Sequence, residues 1–207
     1  MSELLRKIAK GEGQTLDFKF RIEDQKKIAR TLCAFANSDG GSLLIGVKDN
    51  GKIAGTNPEE EYFMIEGAAD LYTKPPVNVE SSVWQEGHHL VLEIIVPKSE
   101  VKHKAIDESG KWRSFVRVDD NTRMGNKILD RVWNLQNSGA EKPEAFDEDT
   151  MNIIKSIREE GPLSISKLYR LSNLRLKRVD QILSVLIYWN VIEMILSETG
   201  TTYRVPE

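Results

Sequence analysis

The stretch Phe35–Gly51, FANSDGGSLLIGVKDNG, is the most informative part of this 207-residue sequence for predicting the fold. Before it, apolar residues such as Ile28 and Leu32 recur at helical spacing, which predicts an amphipathic helix that ends at the glycine pair 40–41. The run SLLIGV is continuous and apolar, as is typical of a short buried strand. The pair Asn50-Gly51 predicts a type I′ turn, because Asn and Gly tolerate the positive φ angles that this turn requires. The stretch therefore predicts a helix, a buried strand and a hairpin in succession.

Outward from this stretch, the segments up to residue 138 are predicted to be a mixture of helices and strands. LLRKIAKGEGQ is predicted to be a short helix, TLDFKF a half-buried strand, and NPEEEYFMIEGAADLY a helix with Asn57 as its N-cap. Two antiparallel strands are predicted in VNVESSVWQEGHHLVLEIIVP, one strand in KWRSFVRVDDNTRMG, and a closing helix in NKILDRVWNLQN. Residues 1–138 are therefore predicted to form an α+β domain, with a mixed sheet and flanking helices.

The composition is that of an ordinary soluble globular protein, with 40% hydrophobic and 29% charged residues. No apolar run approaches the ~20 residues that span a bilayer, so we expect no membrane contact. The single cysteine, Cys33, cannot form an internal disulfide, which favours a reducing, cytoplasmic location. The net charge of −3 means that nucleic-acid binding requires a local basic patch.

The character of the sequence changes after residue 138. Residues 139–148 are mostly small or acidic and include Pro143, as is typical of a linker. Residues 149–207 then predict three helices followed by two strands with a turn at Gly200. This order is that of a winged helix-turn-helix domain, in which the third of these helices contacts nucleic acid.

The second and third helices of this domain carry a basic patch, with five cations against one acid between residues 163 and 190. The cations are Lys167, Arg170, Arg175, Lys177 and Arg178. Helical spacing predicts a buried stripe in the third helix, formed by Leu176, Val179, Ile182, Leu183, Leu186 and Ile187. The residues left to solvent are Arg175, Lys177, Arg178, Gln181, Ser184 and Tyr188. The pattern predicts nucleic-acid contacts. The alternative is a winged helix used only for dimerisation or protein docking.

A second basic run lies in the first domain, where Arg113 and Arg117 flank Phe115. Because side chains two residues apart in a strand share a face, these three side chains are predicted to lie on one partly exposed face. We expect this face to contact phosphates together with the winged helix. A solvated strand edge is the alternative.

Three acids raise the question of a metal site: Glu12 in a glycine-flanked loop, Asp17 in a strand, and Asp49 after the buried strand. If the loop and the strand ends meet, the carboxylates could hold Mg²⁺ or Mn²⁺, which prefer oxygen ligands. Each acid also has an ordinary explanation, since Asp49 suits a hairpin turn and Asp17 suits the polar side of a strand. We predict that the acids lie near one another but are catalytically silent, so that no cofactor is needed.

The segments GEGQTLDFK, FANSDGGSLLIGVKDNGKIAG and FVRVDDNTRMG resemble the Schlafen AlbA-like family over roughly residues 1–138. This bacterial family is described as DNA-binding, and its animal relatives include RNA-cleaving nucleases. The resemblance implies that Glu12, Asp17 and Asp49 correspond to the acidic residues of the nuclease members. Asp17 stands in place of the more usual glutamate and is one methylene shorter.

Many bacterial members of this family carry a C-terminal helix-turn-helix and are described as transcriptional regulators. The resemblance therefore implies a DNA-binding regulator, with DNA preferred over RNA. A nuclease that cleaves RNA with Mg²⁺ or Mn²⁺ is the first alternative, and a protein-interaction module is the second. A homodimer is an open alternative as well, although the sequence shows no coiled-coil heptads.

Overall fold

The computed structural model describes residues 1–141, 145–197 and 199–206, and it divides into two compact units, Met1–Gly125 and Asn126–Glu207. The helices of the first unit are α1 (Glu3–Ile8), α2 (Gln25–Asn37) and α3 (Pro58–Tyr72). Its strands are β1 (Leu16–Lys19), β2 (Gly41–Ile45), β3 (Thr73–Lys74), β4 (Glu80–Glu86), β5 (His89–Val96), β6 (Lys104–Ile106), β7 (Trp112–Val118) and β8 (Asn121–Met124). The predicted α+β class is confirmed.

The strands of the first unit form two sheets, whereas the sequence predicted a single mixed sheet. The first sheet has the order β1-β2-β5-β4, in which β1 and β2 are parallel and the other neighbours are antiparallel. The second sheet has the order β3-β6-β7-β8 and is antiparallel. Helix α2 contacts strands of both sheets. It is buried along most of its length for that reason.

Strand β2 is continuously apolar because both of its faces are buried. Leu43 and Ile45 belong to the core that includes the buried residues of α2. Leu44 points the opposite way and packs in a separate cluster with Leu4 and Ile8 of α1. The first sheet is therefore covered by α2 on one face and by α1 on the other.

Asn37, the last residue of α2, joins this helix to the second sheet. Its Nδ2 donates to the carbonyl oxygens of His103 and Phe115, both at 2.9 Å, and its Oδ1 accepts from the His103 N–H at 2.8 Å. Because these groups are buried, loss of the amide would leave several of them without partners. The bonds fix α2 against β7, and these two elements form much of the candidate site.

The second unit contains four helices and a small antiparallel sheet in its described residues. The helices are α4 (Lys127–Ser138), α5 (Glu148–Glu160), α6 (Ile165–Ser172) and α7 (Leu176–Tyr188). The strands are β9 (Leu163–Ser164), β10 (Glu193–Ser197) and β11 (Gly200–Arg204), in the order β10-β11-β9. Ile153, Leu168, Leu183 and Tyr203 pack helices and sheet into one core. Within the described ranges, no helix is long and apolar enough to cross a membrane.

The boundary between the units lies earlier than the sequence predicted. The prediction placed α4 at the end of a first domain, 1–138, but Ile128 and Val132 of α4 are buried in the core of the second unit. An amphipathic helix displays its apolar stripe in the sequence, but the stripe does not reveal which partner covers it. Of the predicted linker 139–148, residues 142–144 lie outside the described residues.

Candidate nucleic-acid interface

Asp17 is the central acid of the first unit, and it is buried beside two cations. Its Oδ1 lies 3.0 Å from Nη2 of Arg117, and its Oδ2 lies 2.7 Å from Nζ of Lys19. Asp17 and Lys19 lie two residues apart in β1, so they share one face of the strand. Both carboxylate oxygens are therefore already bound by cationic side chains of the protein.

Arg117 is a buried cross-link, which corrects the prediction that it forms part of an exposed phosphate-binding face. Its side chain is only 2% exposed. Its Nε donates to the Gly13 carbonyl at 3.1 Å, and its guanidinium lies 5.0 Å from the centre of the Phe35 ring. The face of β7 that carries Arg117 and Phe115 is covered by α2, because both sheets pack against that helix. Arg113 is half exposed and forms an ion pair with Asp107 at 3.4 Å.

Glu12 lies next to Asp17, so the structure brings together two of the three acids that were predicted to be near one another. Its Oε1 accepts a hydrogen bond of 2.8 Å from the Phe18 N–H, which holds the loop before β1 against the start of that strand. Burial raises the pKa of Glu12 above its usual value, and the neighbouring Asp17 carboxylate raises it further, while the Phe18 N–H opposes both effects. The raised pKa of Glu12 therefore reflects its burial and the closeness of the two carboxyl groups.

Asp49 is exposed in a turn whose flanking residues, Val47 and Ile53, form an isolated bridge. Within 1–141, 145–197 and 199–206, the structure gathers no three His, Cys, Asp or Glu side chains that could hold a metal ion. The three acids therefore do not form a three-ligand group. Asp17 is also paired with Lys19 and Arg117, a cationic setting that does not suit Mg²⁺ or Mn²⁺.

Sequence reasoning missed that Asp17 lies in a cleft rich in cations. The cleft, which we call the basic cleft, has a volume of about 280 Å³. The charged side chains that line it are Asp17, Lys19, Lys27, Arg30, Arg117 and Asp120. Two sequence segments carried the available signal. LDFK contains Asp17 and Lys19, and QKKIAR contains Lys27 and Arg30, which are three residues apart and therefore lie on one side of α2.

Two of the five cations predicted to bind nucleic acid in the second unit are paired within the protein. Lys167 Nζ lies 2.7 Å from Oε2 of Glu160. Arg178 contacts the Asp147 carboxylate through Nη2, and its Nε lies 3.5 Å from Oδ2 of Asp149. These acids lower the net charge that the predicted patch presents.

The remaining cations form the exposed part of the patch. Arg170, Arg175 and Lys177 are exposed and make no ion pair within the described residues. Gln181 is exposed too, as predicted for this residue of α7. We call Arg170, Arg175 and Lys177 the α6–α7 patch.

Two predictions for the faces of α7 are wrong. Leu176 was assigned to the buried stripe, but it is 58% exposed at the first residue of the helix, before the core begins. Ser184 was assigned to solvent, but it is buried and its Oγ donates to the Asp180 carbonyl at 2.6 Å. Ser184 also lines the groove between α4 and α7, so α4 gives α7 a second covered face.

The first unit is thus an α+β domain in which a basic cleft is built around a buried aspartate. The family model described as Schlafen, AlbA_2 matches residues 12–125, more than half of the chain, so the chain belongs to the Schlafen AlbA_2 family. Membership in this family suggests nucleic-acid binding.

Two solved structures are similar to this chain at low identity. The DIP2311 protein from Corynebacterium diphtheriae is 18% identical with a TM-score of 0.44 over 91% of this chain, which spans only 34% of that protein. The other is the N-terminal domain of a protein from Nitrosomonas europaea described as related to the ATP-dependent DNA helicase RecG. It is 17% identical with a TM-score of 0.41, over 70% of this chain and 94% of that domain.

Proposed function

We propose that the protein binds DNA and acts as a transcriptional regulator in the cytoplasm, with the second unit serving as a winged helix-turn-helix domain. The observation that carries this proposal is the α6–α7 patch, in which three exposed cations have no acidic partner among the described residues. Phosphate contacts made by such cations supply essentially all of the affinity of non-specific DNA binding and a large share of that of specific binding.

The order of the elements supports the same proposal. Helices α5, α6 and α7 precede the β10–β11 hairpin, and this is the order of elements in a winged helix. In helix-turn-helix proteins, base edges are contacted by residues near the N-terminal end of the recognition helix. Arg175 is the N-cap of α7 and Lys177 lies in its first turn, so both cations are at that end.

The test compares two charge-reversed variants of the full chain by fluorescence anisotropy with duplex DNA over a salt series. Arg175→Glu/Lys177→Glu should weaken DNA binding about tenfold at low salt. The difference in affinity from the wild type should shrink as salt rises, because the variant releases fewer counterions from DNA when it binds. The control is Lys155→Glu/Arg158→Glu, which makes the same charge change on exposed residues of α5. Equal effects of the two variants would show that net charge, and not the α6–α7 patch, governs binding.

A further inference from the structure

The basic cleft of the first unit combines side chains from both sheets with one face of α2. Lys27 and Arg30 are three positions apart, so both lie on the same side of that helix. Lys19 comes from β1, which is an edge strand of the first sheet, and Arg117 comes from β7 in the second sheet. The cleft is therefore a feature of the tertiary fold.

The cleft carries excess positive charge. Among the described residues that line it, four cationic side chains stand against two carboxylates, which gives a formal charge of +2. Asp17 is already neutralised by Arg117 and Lys19. Lys27 is exposed and has no ion pair within the described part of the chain. An anion that entered the cleft would thus meet more cationic than anionic side chains, and among the cations Lys27 has no ion pair within the described residues.

Arg30 supplies a second, independent indication of an absent partner. Its Nε is buried and has no hydrogen-bond partner among the described residues. Its Nη1 lies 3.3 Å from Oε1 of Glu108, whose side chain is highly exposed. A buried donor without an acceptor is unfavourable, so an acceptor that reached this guanidinium would be favoured.

We propose that the basic cleft binds a phosphomonoester, the terminal phosphate group of a nucleotide. A phosphomonoester carries a charge between −1.5 and −2 near neutral pH and has three strong acceptor oxygens. This charge matches the formal charge of the cleft, whereas a phosphodiester within a strand carries only one negative charge. The planar guanidinium of Arg30 suits two phosphate oxygens, and the exposed ammonium of Lys27 supplies a point charge in the same cleft.

The cleft and the α6–α7 patch belong to different units, so phosphomonoester binding does not depend on DNA binding by the second unit. Isothermal titration of the full chain at fixed ionic strength tests the cleft with adenosine 5′-monophosphate, adenosine, and the diester adenylyl-adenosine. We expect the monophosphate to bind at least fivefold more tightly than either of the other two ligands. Equal binding of adenosine, or of the diester, would overturn the proposal.

Two variants locate the site. Lys27→Gln should weaken monophosphate binding about fivefold, which is the contribution expected of one exposed ion pair. Lys26→Gln is the matched control, because Lys26 is adjacent in the same helix, does not line the cleft and instead lies over the Tyr72 ring. Equal affinities of the two variants would place the phosphate elsewhere. The Arg175→Glu/Lys177→Glu variant should keep its monophosphate affinity whether or not it binds DNA.

Discussion

Arg117 and Asp17 lie 100 residues apart in sequence, yet Nη2 of the arginine is 3.0 Å from Oδ1 of the aspartate and both side chains are buried. The pair joins β1 of the first sheet to β7 of the second. A buried charge needs a partner, so each side chain fixes the position of the other. Asp17 therefore acts in this fold as the counter-ion of a structural arginine.

The first prediction concerns the stability of the first unit. Asp17→Asn removes the charge that balances Arg117 and should lower the free energy of unfolding by about 3 kcal/mol, because a buried ion is left unpaired. Urea unfolding followed by circular dichroism measures this loss. The control is Asp120→Asn, which removes an exposed acid of the same cleft and should change the free energy of unfolding by less than about 0.5 kcal/mol.

A different outcome for Asp17→Asn would favour an enzyme. If the variant were as stable as Asp120→Asn, and if the wild-type chain cleaved RNA with Mn²⁺ while Asp17→Asn and Asp49→Asn did not, the acids would be catalytic. We expect no such cleavage, since the structure does not bring three acidic ligands together among its described residues.

The second prediction concerns Glu93, a buried acid on β5. Lys7 Nζ lies 2.9 Å from its Oε1, and the Trp84 indole N–H donates to its Oε2 at 2.7 Å. Burial alone would raise the pKa of Glu93, but the hydrogen bonds from Lys7, Ser42 and Trp84 outweigh burial and lower it below the usual 4.5. The folded state thus favours the charged form, so its stabilisation is present above pH 4.5 and is lost as the pH falls through the lower folded-state pKa.

Glu93→Gln should accordingly lower the free energy of unfolding by about 2 kcal/mol at pH 7, and its difference from the wild type should shrink below pH 4.5. Urea titrations at pH 7, 5 and 3.5 provide the measurement. Glu80→Gln, an exposed acid on the neighbouring strand β4, is the control and should show neither effect. A pH-independent difference for Glu93→Gln would mean that its charge does not stabilise the fold.

Sequence patterns correctly predicted the helices and strands that depend on residues close together in the chain. The N-cap bond of Asn57, at 3.2 Å to the Glu59 N–H, depends on residues two apart, and the apolar run of β2 depends on its own composition. Arg117 was misread because its partner, Asp17, is remote in sequence and strand alternation does not say which face is covered. The prediction that Ser184 faces solvent was wrong for the same reason. The helix that packs beside it, α4, belongs to a segment that was predicted to lie in the other domain.

The third prediction concerns Cys33, which is buried within α2. Burial raises the pKa of its thiol to about 12, so the reactive thiolate is scarce at pH 8. Reaction with a disulfide reagent such as DTNB should be on the order of a thousandfold slower in the native protein than in urea. The variant Cys33→Ser/Lys10→Cys provides an exposed thiol as the control, and it should react quickly in both states. Rapid reaction of native Cys33 would contradict the burial of this helix face.

The last prediction concerns the two acids that hold Arg178. Asp147 is the N-cap of α5, where it accepts from the Thr150 N–H at 3.0 Å, and an asparagine can keep this role. Asp147→Asn/Asp149→Asn should therefore keep the helix but release Arg178 towards DNA.

We expect the variant to bind duplex DNA about threefold more tightly than Glu141→Gln/Glu148→Gln, which removes the same charge from exposed acids without an ion pair in the described residues, because one additional exposed cation becomes available to phosphate. Anisotropy titrations at low salt measure the difference. Repeating both titrations in an Arg178→Ala background completes a double-mutant cycle, and the threefold excess should then disappear. If the threefold difference in DNA affinity persisted without Arg178, it would be due to the overall charge of the second unit. The interaction of Arg178 with Asp147 and Asp149 would then have no part in DNA binding.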